Sequence, residues 1–313
     1  MLKFLLRRVA SGIVLLGAIS IVTYALLYFS SRNIARNILG DSATPEQLVL
    51  KEQELGLDRP LPERYLDWLG GALTGDLGRS WFGPESVIAA LASRLPVTLL
   101  LVLTSILITA VLATLLGVAA AARRGWVDRV IQIGSVVAQA VPGYLLAIAL
   151  VAVFAIQLHL FPPISTIRPG APASAWVASL TLPVIAIVAN AVIAAAQQIR
   201  SAVITQGQRD HVRTLRSRGI GETEILFRHV LRSAAPAGLT VLSLQFVGML
   251  SATVIIEQIF AIPGVGPYAI RATTMGDIPV VMGVVIYTVV IVVVVNLLID
   301  VANGILNPKV RVS

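Results

Sequence analysis

The chain has 313 residues, 57% of them hydrophobic and only 13% charged, with a mean hydropathy of +0.87; ordinary soluble domains are about 45–50% apolar, so the composition points to an integral membrane protein. No cysteine is present, which excludes a disulfide framework, a thiol nucleophile and a thiolate metal site. The net charge of +8 is not the footprint of a nucleic-acid binder, because the basic residues flank apolar runs and are not interleaved with aromatic ones.

Lys3, Arg7 and Arg8 precede an uncharged run from Val9 to Ser31. That run exceeds the roughly 7–15 apolar residues of a signal peptide and has no small-x-small cleavage pattern, so it is read as an uncleaved first transmembrane helix. From Ser31 to Arg94 the chain turns polar, with seven basic and nine acidic residues and Pro45, Pro60, Pro62 and Pro84. This stretch is expected to be an extramembrane insert with helices around Pro45–Leu55 and Pro62–Leu73. Five more apolar runs follow, Leu95–Ala122, Val130–Leu158, Ala178–Ile199, Ala237–Ile256 and Ile278–Ile299. Each has the roughly 20 helical residues needed to cross about 30 Å of hydrocarbon. The expected fold class is therefore an all-α integral membrane protein with six transmembrane helices.

Charge sets the expected topology. Fifteen of the basic residues fall in the N-terminus, Arg123–Arg129, Arg200–Arg232 and the tail after Asp300; nine fall in the other connections, seven of them in the long insert. Long loops weigh little in the positive-inside rule, and the two short loops on that side carry only Arg168 and Arg271. Both termini are expected in the cytoplasm, with the insert outside and the connection between helices 4 and 5 inside. The expected divisions are a first helix over 1–30, the extracytoplasmic insert over 31–94, a transmembrane core over 95–302 and a cytoplasmic tail over 303–313.

Within the spans, Pro142-Gly143 and Pro183 can kink helices, and the backbone groups they release are tolerated only beside neighbours or a water-filled path. Gln132, Gln139, Asn190, Gln197, Gln198, Gln245 and Asn296 are candidate lining residues, helix–helix hydrogen bonding being the alternative role for each. Glu257 and Asp300 fall at span ends, where the cost of a charge in the bilayer fades.

The connection from Arg200 to Pro236 carries seven arginines against Asp210, Glu222 and Glu224. The pattern predicts a helix over Gly207–Arg218, with Arg209, Arg213 and Arg216 on one stripe and Val212 and Leu215 on an adjacent one. Gly219 then serves as a left-handed helix end. A second short helix is predicted from Gly221, with Glu224 and Arg228 paired four apart, before Pro236 opens the next span.

At these residues a family resemblance appears. The run His211-Val212-Arg213-Thr214-Leu215-Arg216-Ser217-Arg218-Gly219, followed by Phe227-Arg228-His229-Val230-Leu231-Arg232, resembles the cytoplasmic EAA loop of binding-protein-dependent ABC importer permeases. It is most similar to the dipeptide/oligopeptide/nickel branch, although Leu215, Ser217 and Arg218 replace the usual alanine, alanine and lysine, and the glutamate and two alanines that name the loop elsewhere are absent. Three other stretches resemble the same family: Leu55–Pro62 with Gly75–Ser80 in the insert, Glu257-Gln258-Ile259-Phe260-Ala261-Ile262-Pro263-Gly264-Val265-Gly266 at an outer span end, where a re-entrant turn or gate is expected, and Asn307-Pro308-Lys309-Val310-Arg311 at the close.

The resemblance implies a permease subunit importing di- or oligopeptides, with a coupling helix at Arg213, Thr214, Leu215, Arg216, Ser217, Arg218, Gly219 and Ile220 docked on a separate ATPase. It implies as partners a second, homologous permease subunit, two ABC ATPase subunits that hold ATP and Mg, and an external substrate-binding protein under which the insert lies. Candidate pathway or gate residues are Gln139, Pro142, Asn190, Gln245, Glu257, Pro263 and Gly264. No cofactor or catalytic residue is expected in this chain: no Gly-Lys-Ser/Thr P-loop and no His-Glu-x-x-His occurs, and only His159, His211 and His229 are present. Nickel, opines or glycosyl compounds are alternative substrates. A secondary transporter or channel is the alternative class; it predicts mid-membrane ionisable pairs and an inverted repeat, neither of which the sequence contains.

Overall fold

The structure is a computed structural model, and it describes residues 2–30, 34–122, 125, 129–130, 132–134 and 140–306. The described residues form helices α1 (Leu2–Ser30), α2 (Ile34–Leu39), α3 (Pro45–Glu54), α4 (Leu61–Leu73), α5 (Val87–Ala122) and α6 (Gly143–Leu150), which continues as a π-helix over Val151–Gln157. Then come α7 (Ala173–Gly207), α8 (Asp210–Ser217), α9 (Glu222–Glu224) with a π-helix over Ile225–Val230, α10 (Leu231–Ile259), α11 (Val265–Met275) and α12 (Ile278–Leu306). Five helical segments are long and apolar enough to cross a membrane: Leu6–Phe29, Val87–Ala122, Ala173–Gly207, Glu222–Ile259 and Ile278–Ile305. The sixth apolar helix, Gly143–Gln157, is shorter. They follow the predicted runs in order, except that the run expected over Val130–Leu158 meets only the shorter helix, its earlier part lying partly outside the described residues. Large apolar side chains such as Val14 (71% exposed), Leu107 (66%) and Leu244 (67%) face outward along them, an arrangement costly in water and favourable in hydrocarbon.

Several boundaries differ from expectation. The helix expected from Leu95 begins at Val87, so the end of the predicted insert is helical; Arg94 is accommodated there by donating to the Ala90 carbonyl and stacking over the Tyr268 ring, 4.4 Å from its centroid. Pro142 is not a kink inside a described helix. It caps the start of α6, its extended ψ of 134° turning the chain into the helix. Gln139 and the closing motif Asn307–Arg311 lie outside the described residues.

The chain divides into two compact units, Met1–Val97 with Gly264–Val294, and Thr98–Pro263 with Val295–Ser313. The first holds the insert helices. Thr44 and Gln47 form a reciprocal capping box at the start of α3. Tyr24 of α1 meets Tyr65 and Trp68 of α4 at ring separations of 5.5 and 6.1 Å, and Ser20 shares a 2.8 Å hydrogen bond with the Tyr65 hydroxyl. Arg64, only 6% exposed, places its guanidinium 5.2 Å from the Tyr28 ring centre. Hydroxyl, ring and cation thereby fix α4 on α1. Asp277, just ahead of α12, is buried and accepts from the Ser80 hydroxyl and the Trp81 N–H at 2.5 and 3.3 Å, tying the loop 80–82 to the start of that helix.

In the second unit α10 packs along α7, and α6 packs on both. α5 approaches α7 closely: a Cβ on Gly117 would lie 2.7 Å from the Ala196 carbonyl oxygen, so only glycine fits. A buried cluster formed by Ala113, Ala195, Ile199, Val203, Val212, Ile225, Val230 and Ala234 joins these helices to the segment after Gly207.

Candidate functional site

The segment from Gly207 to Val230 is built in three steps. α7 runs to Gly207, and Arg209 adopts extended backbone (ψ 153°) as the N-cap of α8. The helix predicted over Gly207–Arg218 is therefore shorter, starting at Asp210, and Arg209 does not share its stripe. Asp210 stands in the first turn and Arg216 in the last, both in the sense the helix dipole favours. Gly219 takes φ +79°, the left-handed conformation expected of it, and lets the chain reverse.

The second predicted helix is not separate. Glu222–Ile259 is one continuous apolar helical segment containing a π-helical turn, and Pro236 lies inside α10 instead of opening it. Glu224 and Arg228 are paired at 3.2 Å, as the spacing required.

The eight candidate coupling residues sort into two sets. Val212, beside them, is fully buried, and Leu215 and Ile220 pack against the same cluster. These apolar side chains anchor α8. Arg213, Thr214, Arg216, Ser217, Arg218 and Gly219 are exposed. Arg213 is loosely paired, 3.7 Å from Asp210, with its side chain 74% exposed. Arg216 makes a bidentate pair with Glu222, Nε to Oε1 at 2.6 Å and Nη2 to Oε2 at 3.1 Å, while Nη1 reaches the Gly207 carbonyl at 3.4 Å. The Glu222 hydrogen bond holds the Arg216 guanidinium above its already high ordinary pKa, so it stays charged at any physiological pH. Sequence reasoning missed Glu222 as its partner; an acid just beyond a glycine turn that follows a terminal arginine was the available signal.

Beside this segment lies a cavity of about 710 Å³, lined by Ala121, Ile204, Gly207, Arg216, Glu222 and Phe227 among others. α8 is thus a short basic helix rooted by apolar side chains and exposed on its outer face.

The candidate pathway residues do not converge on one site. Asn190 lines a pocket of about 220 Å³ with Gly143, Tyr144, Ala186, Ile187 and Ile256, next to the Pro142 cap. It is the polar amide in an otherwise mostly apolar lining. A Cβ on Gly143 would lie 3.0 Å from the Asn190 Nδ2, so the glycine leaves room for that amide. Gln245 is half-buried on α10 and does not line this pocket. Glu257 is fully buried and accepts a 2.6 Å hydrogen bond from the Thr98 hydroxyl. Pro263 is exposed in the turn expected after α10, and Gly264 is the N-cap of a further helix, α11.

The family described as binding-protein-dependent transport system inner membrane component matches residues 113–312, and the family of the N-terminal part of such membrane components matches residues 1–102. A Brucella abortus (strain 2308) protein named for a peptide transport system permease is 34% identical over 312 residues, covering 99% of both chains. A Sinorhizobium fredii protein named for a peptide ABC transporter permease is 28% identical over 98% of this chain and 99% of its own. The glutathione transport system permease protein GsiC of Escherichia coli O6:H1 is also 28% identical, over 99% of both. Among solved structures, a chain of the MetNI methionine ABC transporter in inward facing conformations superposes with a TM-score of 0.54 at 14% identity, over 70% of this chain and 97% of that one. That likeness bears on the fold, and the all-helical, multi-span architecture agrees with it. The chain thus belongs to the family of binding-protein-dependent transport system inner membrane components, the permeases of ABC importers.

Proposed function

We propose that this chain is one of two permease subunits of an ATP-driven importer of di- or oligopeptides. The observation that carries the substrate class is end-to-end similarity, over 98–99% of the chain, to relatives named for peptide and glutathione transport; glutathione is itself a small peptide. The partners are a homologous permease, two ATPase subunits that bind ATP and Mg, and an external binding protein that delivers the peptide. Both termini and α8 face the cytoplasm of a bacterial cell, and the insert faces outward, as the arginine distribution favours.

In this reading the chain performs no covalent chemistry. Closure of the ATPases on ATP displaces α8 through its exposed face at Arg213, Thr214, Ser217 and Arg218. The buried anchors Val212, Leu215 and Ile220 pass the displacement to α7 and α10, between which Asn190 borders the pocket. Coupling of this kind requires that ATP binding favour one arrangement of the spans over another. The test is uptake of labelled dipeptide by proteoliposomes holding the four membrane-associated subunits, with the binding protein outside and ATP inside. ATP-dependent accumulation supports the reading; uptake driven by a proton or sodium gradient without ATP contradicts it.

A further inference from the structure

Two arginines of α8 look alike in sequence and differ in what they bond to. Arg213 also borders the cavity beside α8, but its side chain is 74% exposed and its ion-pair partner Asp210 is a loose 3.7 Å away. Arg216 spends its fork on its own chain: two N–H groups meet both oxygens of Glu222 and a third meets the Gly207 carbonyl. Gly207 is the last residue of α7, where backbone carbonyls lack intrahelical partners. Glu222 opens the helix that continues into α10. One planar guanidinium therefore joins the end of α7, the end of α8 and the start of the segment leading to α10. A lysine, with a point charge in place of a fork, could not hold both carboxylate oxygens in this plane.

The surroundings give this bridge a task. α8 is rooted by Val212 and Leu215 on its apolar side. Gly207, Arg216 and Glu222 all line the cavity of about 710 Å³, so on that side packing does not fill the space between α8 and its neighbours. The ion pair spans a gap that side-chain packing leaves open. The chain reverses beside it at Gly219, whose left-handed backbone donates its N–H to the Arg216 carbonyl at 2.9 Å.

We propose that Arg216 is a positioning residue and not an ATPase contact: it clamps α8 to α7 and to the α10 segment, so that a push on α8 reaches the spans as a rigid displacement. This rests on the importer reading above. An exposed ion pair adds little to overall stability, so the loss of Arg216 acts on transmission and leaves folding and ATPase docking in place.

The experiment uses the reconstituted complex with its binding protein, measuring dipeptide uptake per ATP hydrolysed, with co-purification of the ATPase subunits as the docking readout. Arg216→Glu and Glu222→Arg each lower uptake per ATP by about tenfold, while the ATPase subunits still co-purify. The double variant Arg216→Glu with Glu222→Arg restores at least about a third of the wild-type ratio, recovery being partial because both swapped charges oppose the helix dipoles. A double variant no better than either single one, or loss of the ATPase subunits from the Arg216→Glu complex, overturns the clamp. If the wild-type complex itself shows no ATP-driven uptake, the importer reading fails instead, a result distinct from a failed rescue.

Discussion

Thr98 donates its hydroxyl to the fully buried carboxyl of Glu257 across 2.6 Å, joining α5 to the last turns of α10. Glu257 also accepts, through its backbone carbonyl, from the Ile262 N–H at 2.9 Å, which closes the turn after α10. A residue read from sequence as a gate is thus held on two sides. Its carboxyl is enclosed within the chain.

Thr98→Val keeps the shape and removes the donor. Leaving a buried acceptor short of a partner costs about 1–3 kcal/mol, so the variant unfolds at a lower temperature in detergent while its Asn190 pocket is untouched. An unchanged melting temperature contradicts a holding role for this bond.

Arg213→Glu alters the exposed face of α8 and none of its anchors. The expected result is ATP hydrolysis uncoupled from uptake, or weakened ATPase association, at unchanged thermal stability, since exposed substitutions are usually within about 0.5 kcal/mol. Normal coupling in this variant removes Arg213 from the docking face.

What the sequence made legible follows from how each feature is encoded. The apolar runs are summed properties of some twenty residues; five reappear as spanning helices and the third as the shorter helix Gly143–Gln157. Gly219 and the Glu224–Arg228 pair are local, and both are present. The start of α8 was missed because a 3.6-residue stripe through Arg209, Arg213 and Arg216 runs across a break that only the extended backbone of Arg209 creates. The turn expected over Glu257–Gly266 is present at residues 260–264, but α11, which follows it, was not foreseen; its Pro267 sits in a first helical turn, where a missing N–H costs little. The Thr98–Glu257 bond joins residues 159 positions apart, and nothing in a single sequence links them.

Gly117→Ala tests the close approach of α5 and α7. The added methyl would stand 2.7 Å from the Ala196 carbonyl oxygen and 3.1 Å from Ile199 side-chain atoms, and backbone cannot swing aside as a flexible side chain can. Overpacking of this kind costs about 1–3 kcal/mol. The expected outcome is a lower melting temperature for the variant, and an equal or higher one contradicts the contact.

Burial pushes the Asp277 carboxyl up, against the opposing hydrogen bonds from Ser80, Trp81 and the Val280 N–H. With the native pKa above the unfolded one, the folded state holds the proton more tightly, so stability falls as pH rises from about 3.9 through the native value. Above that value the loss is complete. The melting temperature of the wild type minus that of Asp277→Asn should therefore shrink as pH rises through this window; a difference that grows with pH contradicts the shift.

The central claim is that α8 faces the cytoplasm as the handle for an ATPase, and the absence of native cysteines makes it directly testable. A single Ser217→Cys variant places one thiol on the exposed face of α8, to be treated with a membrane-impermeant maleimide on intact cells and on inside-out vesicles. The account predicts labelling of the vesicles alone, and protection when the ATPase subunits are bound; labelling of that thiol on intact cells would contradict it.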